Sequence, residues 1–153
     1  MPNLTVTVDE LRRLGQTDLG WSAWLPVEQA RVDLFADATE DHQWIHVDPD
    51  RAARGPFGTT IAHGYLTLSL IPFLLEDLLT VSDQVRGTNY GIDWARFTSP
   101  VRVGSRVRMK GQLLSVQERP DSGLQYRVGV KVHIDGQERP ALIGELVSLA
   151  YGA

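Results

Sequence analysis

Asp41 and His46 stand five residues apart in "ADATEDHQWIHVDPD" (36–50), a stretch with five carboxylates and two histidines around Trp44-Ile45. An aspartate and an imidazole that face one another make a paired acid and base, and burial and mutual charge tune both. On a continuous helix, five residues are separated by about 140°, so the two side chains diverge. They converge only where the helix ends near Asp41 and the chain turns. The apolar positions Val27, Ala30, Leu34, Phe35 and Ala38 have helical spacing that stops at Ala38, which predicts a helix over 27–38 and a turn after it. The same residues also fit a plainer reading, with Asp41 satisfying backbone groups at a helix end and His46 half-exposed in a loop. Asp37 falls on the polar side of that helix and Glu40 is expected at the surface. Asp48 followed by Pro49 reads as a helix N-cap and first helical residue. The set Asp41, His42 and His46 lacks the HExxH arrangement, so no metal is expected.

A second group lies in "TTIAHGYLTL", where His63 and Gly64 open a strongly apolar segment. A helix start presents free backbone N–H groups, and a glycine there lets a ligand approach them. That arrangement suits an oxygen gaining negative charge, such as that of a thioester. Close helix packing for Gly64 and a satisfied core position for His63 are the alternatives. His133, on a late strand, is expected to be structural. Arg86, Arg96, Arg102, Arg106, Arg108 and Lys110 alternate along strands, either on a solvent face or toward phosphates of a nucleotide-bearing ligand.

The elements that must position these residues follow from the rest of the chain. Its 153 residues suggest one domain. Fifteen basic against nineteen acidic residues leave a net charge of −4, which gives no reason to expect nucleic acid or an anionic membrane as partner. No cysteine is present, which removes disulfides and thiolate chemistry. The N-terminal "MPNLTVTVDELRRLG" lacks a secretory pattern, and "GYLTLSLIPFLLEDLL" is too short and interrupted to span a bilayer; a soluble cytoplasmic protein is expected. Thr7 and Glu10 have capping-box spacing before a short helix at 9–14. "GWSAWLPV" reads as extended. "IAHGYLTLSLIPFLLEDLL" reads as a helix buried all round and bent at Pro72. After residue 85 the period changes to four long strands in meander order, with turns at "DSG" (121–123) and "DGQ" (135–137). The sum is an α+β fold, an antiparallel sheet wrapped on a central helix.

Taken in order, Asp41, Gln43, His46, Asp48-Pro49, Ala52, Phe57 and Ile61-Ala62-His63-Gly64 resemble the signature of the MaoC-like dehydratases, the (R)-specific enoyl-CoA hydratase (hydratase 2) group. "NYGIDWARFTSPVRVGSRVR" is similar to that family's strand entry. The resemblance implies a single hotdog domain over 1–153, usually a homodimer, acting on an enoyl-CoA or acyl-carrier thioester without a cofactor. It implies that Asp41 and His46 grip one water and add it to C3 of a trans-2-enoyl thioester, giving an (R)-3-hydroxyacyl product, and that the Gly64 N–H holds the thioester oxygen. Gln43 stands where the family usually has Asn. Two departures stand out. Glu40 replaces a common glycine, where a carboxylate would act on the loop or on Asp41. "Gln43-Trp44" replaces "N-P" and resembles the NodN-like branch, with Trp44 and Phe57 as candidate walls of the acyl tunnel. A hotdog thioesterase and a non-catalytic acyl-CoA-binding subunit are the alternatives.

Overall fold

The computed structural model describes residues 1–153. Fourteen short and long elements are arranged as helices first and strands last. Strand β1 (Leu4–Val6) is followed by helix α1 (Val8–Arg13), whose capping box forms in both directions: Glu10 N–H donates to Thr7 Oγ1 at 3.1 Å and Thr7 N–H to Glu10 Oε2 at 2.8 Å. The extended stretch becomes β2 (Thr17–Trp21) and β3 (Leu25–Val27). Helix α2 (Gln29–Thr39) keeps the expected period with a different inward face: Val32, Phe35 and Ala36 pack inward, while Leu34 and Ala38 face solvent. Two short helices follow, α3 (Trp44–Val47) and α4 (Pro49–Ala53), the second capped by Asp48, whose Oδ1 accepts from Arg51 N–H at 3.0 Å.

The central helix is split into α5 (Gly64–Ser69) and α6 (Ile71–Glu76) at Leu70. Pro72 has no N–H to continue the ladder, and the Leu70 N–H tightens onto both Leu66 and Thr67 carbonyls. Full burial of this helix is not observed. Leu66, Ile71 and Leu74 are buried, but Tyr65 is 67% and Phe73 57% exposed, because only one side packs against the sheet.

Strand β4 (Leu79–Val81) pairs in parallel with β1, a contact between distant segments that has no local signal. The long strands are β5 (Arg86–Phe97), β6 (Ser105–Glu118), β7 (Leu124–Ile134) and β8 (Leu142–Tyr151), with turns where expected. A simple meander is not what forms. The sheet order is β2-β6-β7-β8-β5, with β3 also on β6. The connection 98–104, carrying Pro100 and a left-handed Gly104, takes the chain from the β5 edge across the sheet to β6, which β2 and β3 flank on its other side. Val107, Met109 and Leu113 of β6 and the buried row of β7 close on Leu66, Ile71, Leu74 and Leu78 to form the core. The result is α+β, a curved antiparallel sheet on a central helix.

Candidate active site

Three segments meet at one point: the loop after α2, helix α3, and the start of α5. Glu40 closes α2 in the left-handed region (φ 64, ψ 15). That reversal is what lets Asp41 and His46 face one another despite their spacing. Asp41, half-exposed, uses Oδ1 to accept a long bond from Gln43 N–H at 3.4 Å. His46 is 6% exposed, and its Nδ1 lies 2.7 Å from the Ile61 carbonyl. A carbonyl only accepts, so Nδ1 carries the hydrogen and Nε2 is left with its lone pair. Burial pushes the His46 pKa below its ordinary 6.5 and the neighbouring His63 pushes the same way, while the Ile61 bond and Asp41 oppose.

His63 is 2% exposed and stacks on His46 with ring centres 3.8 Å apart. Its Nε2 donates to the Asp41 carbonyl at 2.9 Å. The side-chain atoms of Asp41, His46 and His63 that could bind an ion lie within 4.8 Å of one another. Two hydrogen bonds of ordinary length meeting at a water near the tetrahedral angle span about 4.6 Å, so groups no more than 4.8 Å apart can be bridged by one water. The two rings lie in nearly parallel planes 3.8 Å apart, so in-plane lone pairs from both do not readily meet at a single metal. His42 leaves the group altogether: its Nε2 pairs with Asp37 at 2.8 Å, and that bond raises its pKa.

A cavity of about 260 Å³ opens beside this group, lined by His46, Ile61, Gly64, Thr67, Phe97 and Ala141 among others. Gly64 is the first residue of α5, where the N–H has no intrahelical acceptor. Its bare Cα is filled from one side by Phe97; a Cβ there would come within 2.9 Å of that ring. A side chain at 64 would force the Phe97 ring to move, and Gly64 itself lines the cavity. Of the other expected wall residues, Trp44 stacks under the Arg51 guanidinium (4.4 Å) and against Gly55, and Phe57 offers its carbonyl to Arg102 at 3.1 Å; neither lines the cavity. Gln43 is the exposed N-cap of α3. A larger groove of about 480 Å³ lies on the outer face of the sheet around Lys110, Gly129, Lys131 and Glu145, and it holds none of these residues.

Sequence reasoning missed Thr67, Phe97 and Ala141, which reach the cavity from three elements far apart in the chain. It also missed Gln29, whose amide donates to the His46 carbonyl at 2.7 Å and accepts from Thr60 Oγ1 at 2.6 Å, pinning α3 in place. A glutamine in the first turn of a helix carries no signal of that role.

The family model described as "MaoC like domain" matches residues 13–133, and the chain belongs to that family. It is 45% identical over 141 residues to 3-hydroxyacyl-thioester dehydratase Z of Mycobacterium tuberculosis, covering 92% of this chain and 93% of that one. It is 48% identical over 139 residues to nodulation protein N of Rhizobium leguminosarum bv. viciae (90% and 86% covered). Among solved structures, the (R)-hydratase from A. caviae involved in PHA biosynthesis superposes with a TM-score of 0.69 at 26% identity, covering 87% of this chain and 92% of that one. The fold is the hotdog fold of these hydratases, and the chain is a hydro-lyase of the MaoC-like dehydratases.

Proposed function

We propose that this chain, acting as a single domain over 1–153, reversibly hydrates trans-2-enoyl thioesters to (R)-3-hydroxyacyl thioesters. The observation that carries the reading is that a carboxylate oxygen of Asp41 and a ring nitrogen of His46 come within 4.8 Å of each other, beside a mainly apolar cavity that His46 and Gly64 line. In the hydration direction, His46 Nε2 accepts a proton from the water that Asp41 orients. The water oxygen bonds to C3 as the C2–C3 π electrons shift to the thioester oxygen, which Gly64 N–H stabilises. The proton then passes from the pair to C2, so the substrate gains one water in total. Preorganised donors and a positioned base are effective because no reorganisation is needed at the moment of reaction. The A. caviae likeness supports the (R) outcome; CoA or an acyl carrier protein would bear the acyl group.

The reading extends to a cytoplasmic enzyme of fatty-acid metabolism and to a homodimer. Strand β5 has β8 on one side and no partner on the other, and it exposes Tyr90, Ile92, Trp94 and Phe97, with Phe97 against Tyr65 of the helix. A long apolar edge of this kind is normally covered, and a second copy of β5 would cover it.

The test uses purified protein and crotonoyl-CoA, with loss of the conjugated double bond and release of free thiol followed separately. Double-bond loss without thiol is expected. Thiol release would instead mean a thioesterase, and binding with neither signal would mean a non-catalytic acyl-CoA-binding subunit.

A further inference from the structure

We propose that His63 is the positioning residue that sets Asp41 and His46 against each other, through a ring stack on one and a hydrogen bond to the backbone of the other. The inference rests on the hydratase reading above and assigns a role to a residue that reading does not use. The reacting groups come from three segments: Asp41 from a loop, His46 from α3, and the Gly64 N–H from α5. His63 touches all three. Its ring lies 3.8 Å from His46, its Nε2–H holds the Asp41 carbonyl at 2.9 Å, and Gly64 is its covalent neighbour.

The need for such a bracket is visible in the loop. Residues 40–43 are all exposed, and Asp41 is otherwise held only by the long bond from Gln43 within its own loop. The His63 bond is the one that reaches Asp41 from another element. A drift of about 1 Å at a catalytic group can cost on the order of 100-fold in rate, so a single tie matters here. Substrate contact is not the role of His63: the ring is 2% exposed and does not line the cavity. Phe35 covers it from a further side, with ring centres 4.9 Å apart. Simple core filling does not account for it either, because an apolar side chain would fill the space without leaving Nδ1 buried and unpartnered. The donor at Nε2 is what an apolar residue would not supply.

Two variants separate the ring from the donor. His63→Phe keeps an aromatic ring and loses the N–H. His63→Gln loses the ring and can place an amide N–H near the position of Nε2. We expect His63→Phe to lower kcat on crotonoyl-CoA at least 10-fold with KM within about twofold, and His63→Gln to recover at least fivefold of that loss. Equal rates in the two variants, or an unimpaired His63→Phe, would overturn the proposal. Where His63→Phe does not fold, His63→Asn replaces it, since its shorter amide does not reach the Asp41 carbonyl; the same loss is expected. A readout free of turnover separates this inference from the hydratase reading. Backbone ¹⁵N order parameters of residues 41–43 should fall from about 0.85 in the parent to below about 0.6 in the donor-free variant. Unchanged order parameters would sink the bracket even in an active enzyme, and a fall would support it even if crotonoyl-CoA is not turned over.

Discussion

His46, in the short helix α3, and His133, on strand β7, both have a pKa pushed below 6.5, and burial is the largest cause in each. Their surroundings differ completely. His133 lies on the outer face of the sheet, edge-on to Trp21 at 4.9 Å, and its further lowering comes from the cations Lys131, Arg108 and Lys110. The Arg108 guanidinium is itself stacked on Trp21 and Trp24 at 4.0 and 4.5 Å. No carboxylate acts on His133. His46 has one nitrogen fixed by a carbonyl, the other free, the Asp41 carboxylate within 4.8 Å of its ring and a cavity alongside. A depressed histidine pKa therefore does not mark a catalytic site by itself. A fixed tautomer, an opposed acid and space for a substrate are what separate the two.

That contrast can be broken most directly at the pair itself. His46→Gln and Asp41→Asn are each expected to reduce crotonoyl-CoA hydration by about 10²–10⁴-fold, the usual worth of a positioned acid or base, with unchanged far-UV circular dichroism. A rate within tenfold of the parent in either variant would end the two-residue mechanism, and lost structure would favour the helix-end reading of Asp41.

The pH dependence sharpens the comparison next. The acid limb of kcat/KM reports the free enzyme, so its midpoint should lie below 6.5, where His46 gains a proton. The sign for stability agrees. The unfolded chain binds that proton first as pH falls through about 6.5, so stability declines on acidification below that value and His46 contributes no such loss above it. An acid limb above 6.5 would contradict the assignment.

Smaller effects test the two settings. Glu40→Gly relieves a left-handed conformation worth about 1 kcal/mol, and should raise the melting temperature by roughly 2–4 °C. A fall in melting temperature would show that the Glu40 side chain holds the loop. His133→Gln is expected to leave both the pH profile and the rate within about twofold, and to change stability by no more than about 0.5 kcal/mol. A shifted acid limb in that variant would erase the distinction between the two histidines.

Much of this arrangement was legible in the sequence, for identifiable reasons. Capping signals are local, so Thr7/Glu10 and Asp48-Pro49 announced α1 and α4. The stop of helical periodicity before Asp41 announced the turn that pairs it with His46. The left-handed conformation at Glu40 now accounts for the glycine that the family commonly has there: the position ends a helix, and a carboxylate is tolerated at a conformational cost. What was hidden depends on distance along the chain. The crossing from the β5 edge to β6, the parallel β1–β4 pair and the cavity walls Thr67, Phe97 and Ala141 are set by tertiary packing, which no local period encodes. Trp44 stands among reactive groups, which suggested a wall, but its ring lies under Arg51 and beside Gly55, away from the cavity. The helix expected to be buried all round has leucines and aromatics on every face, and that pattern does not show which face the chain's own sheet covers.

Phe97 belongs to two surfaces at once, ending the exposed edge strand β5 and walling the cavity against Gly64. In the dimer proposed above, joined along that edge, the law of mass action would reach into the candidate site. Dilution below the dimer dissociation constant would strip the support from one wall, and turnover per chain would then fall with dilution instead of staying constant.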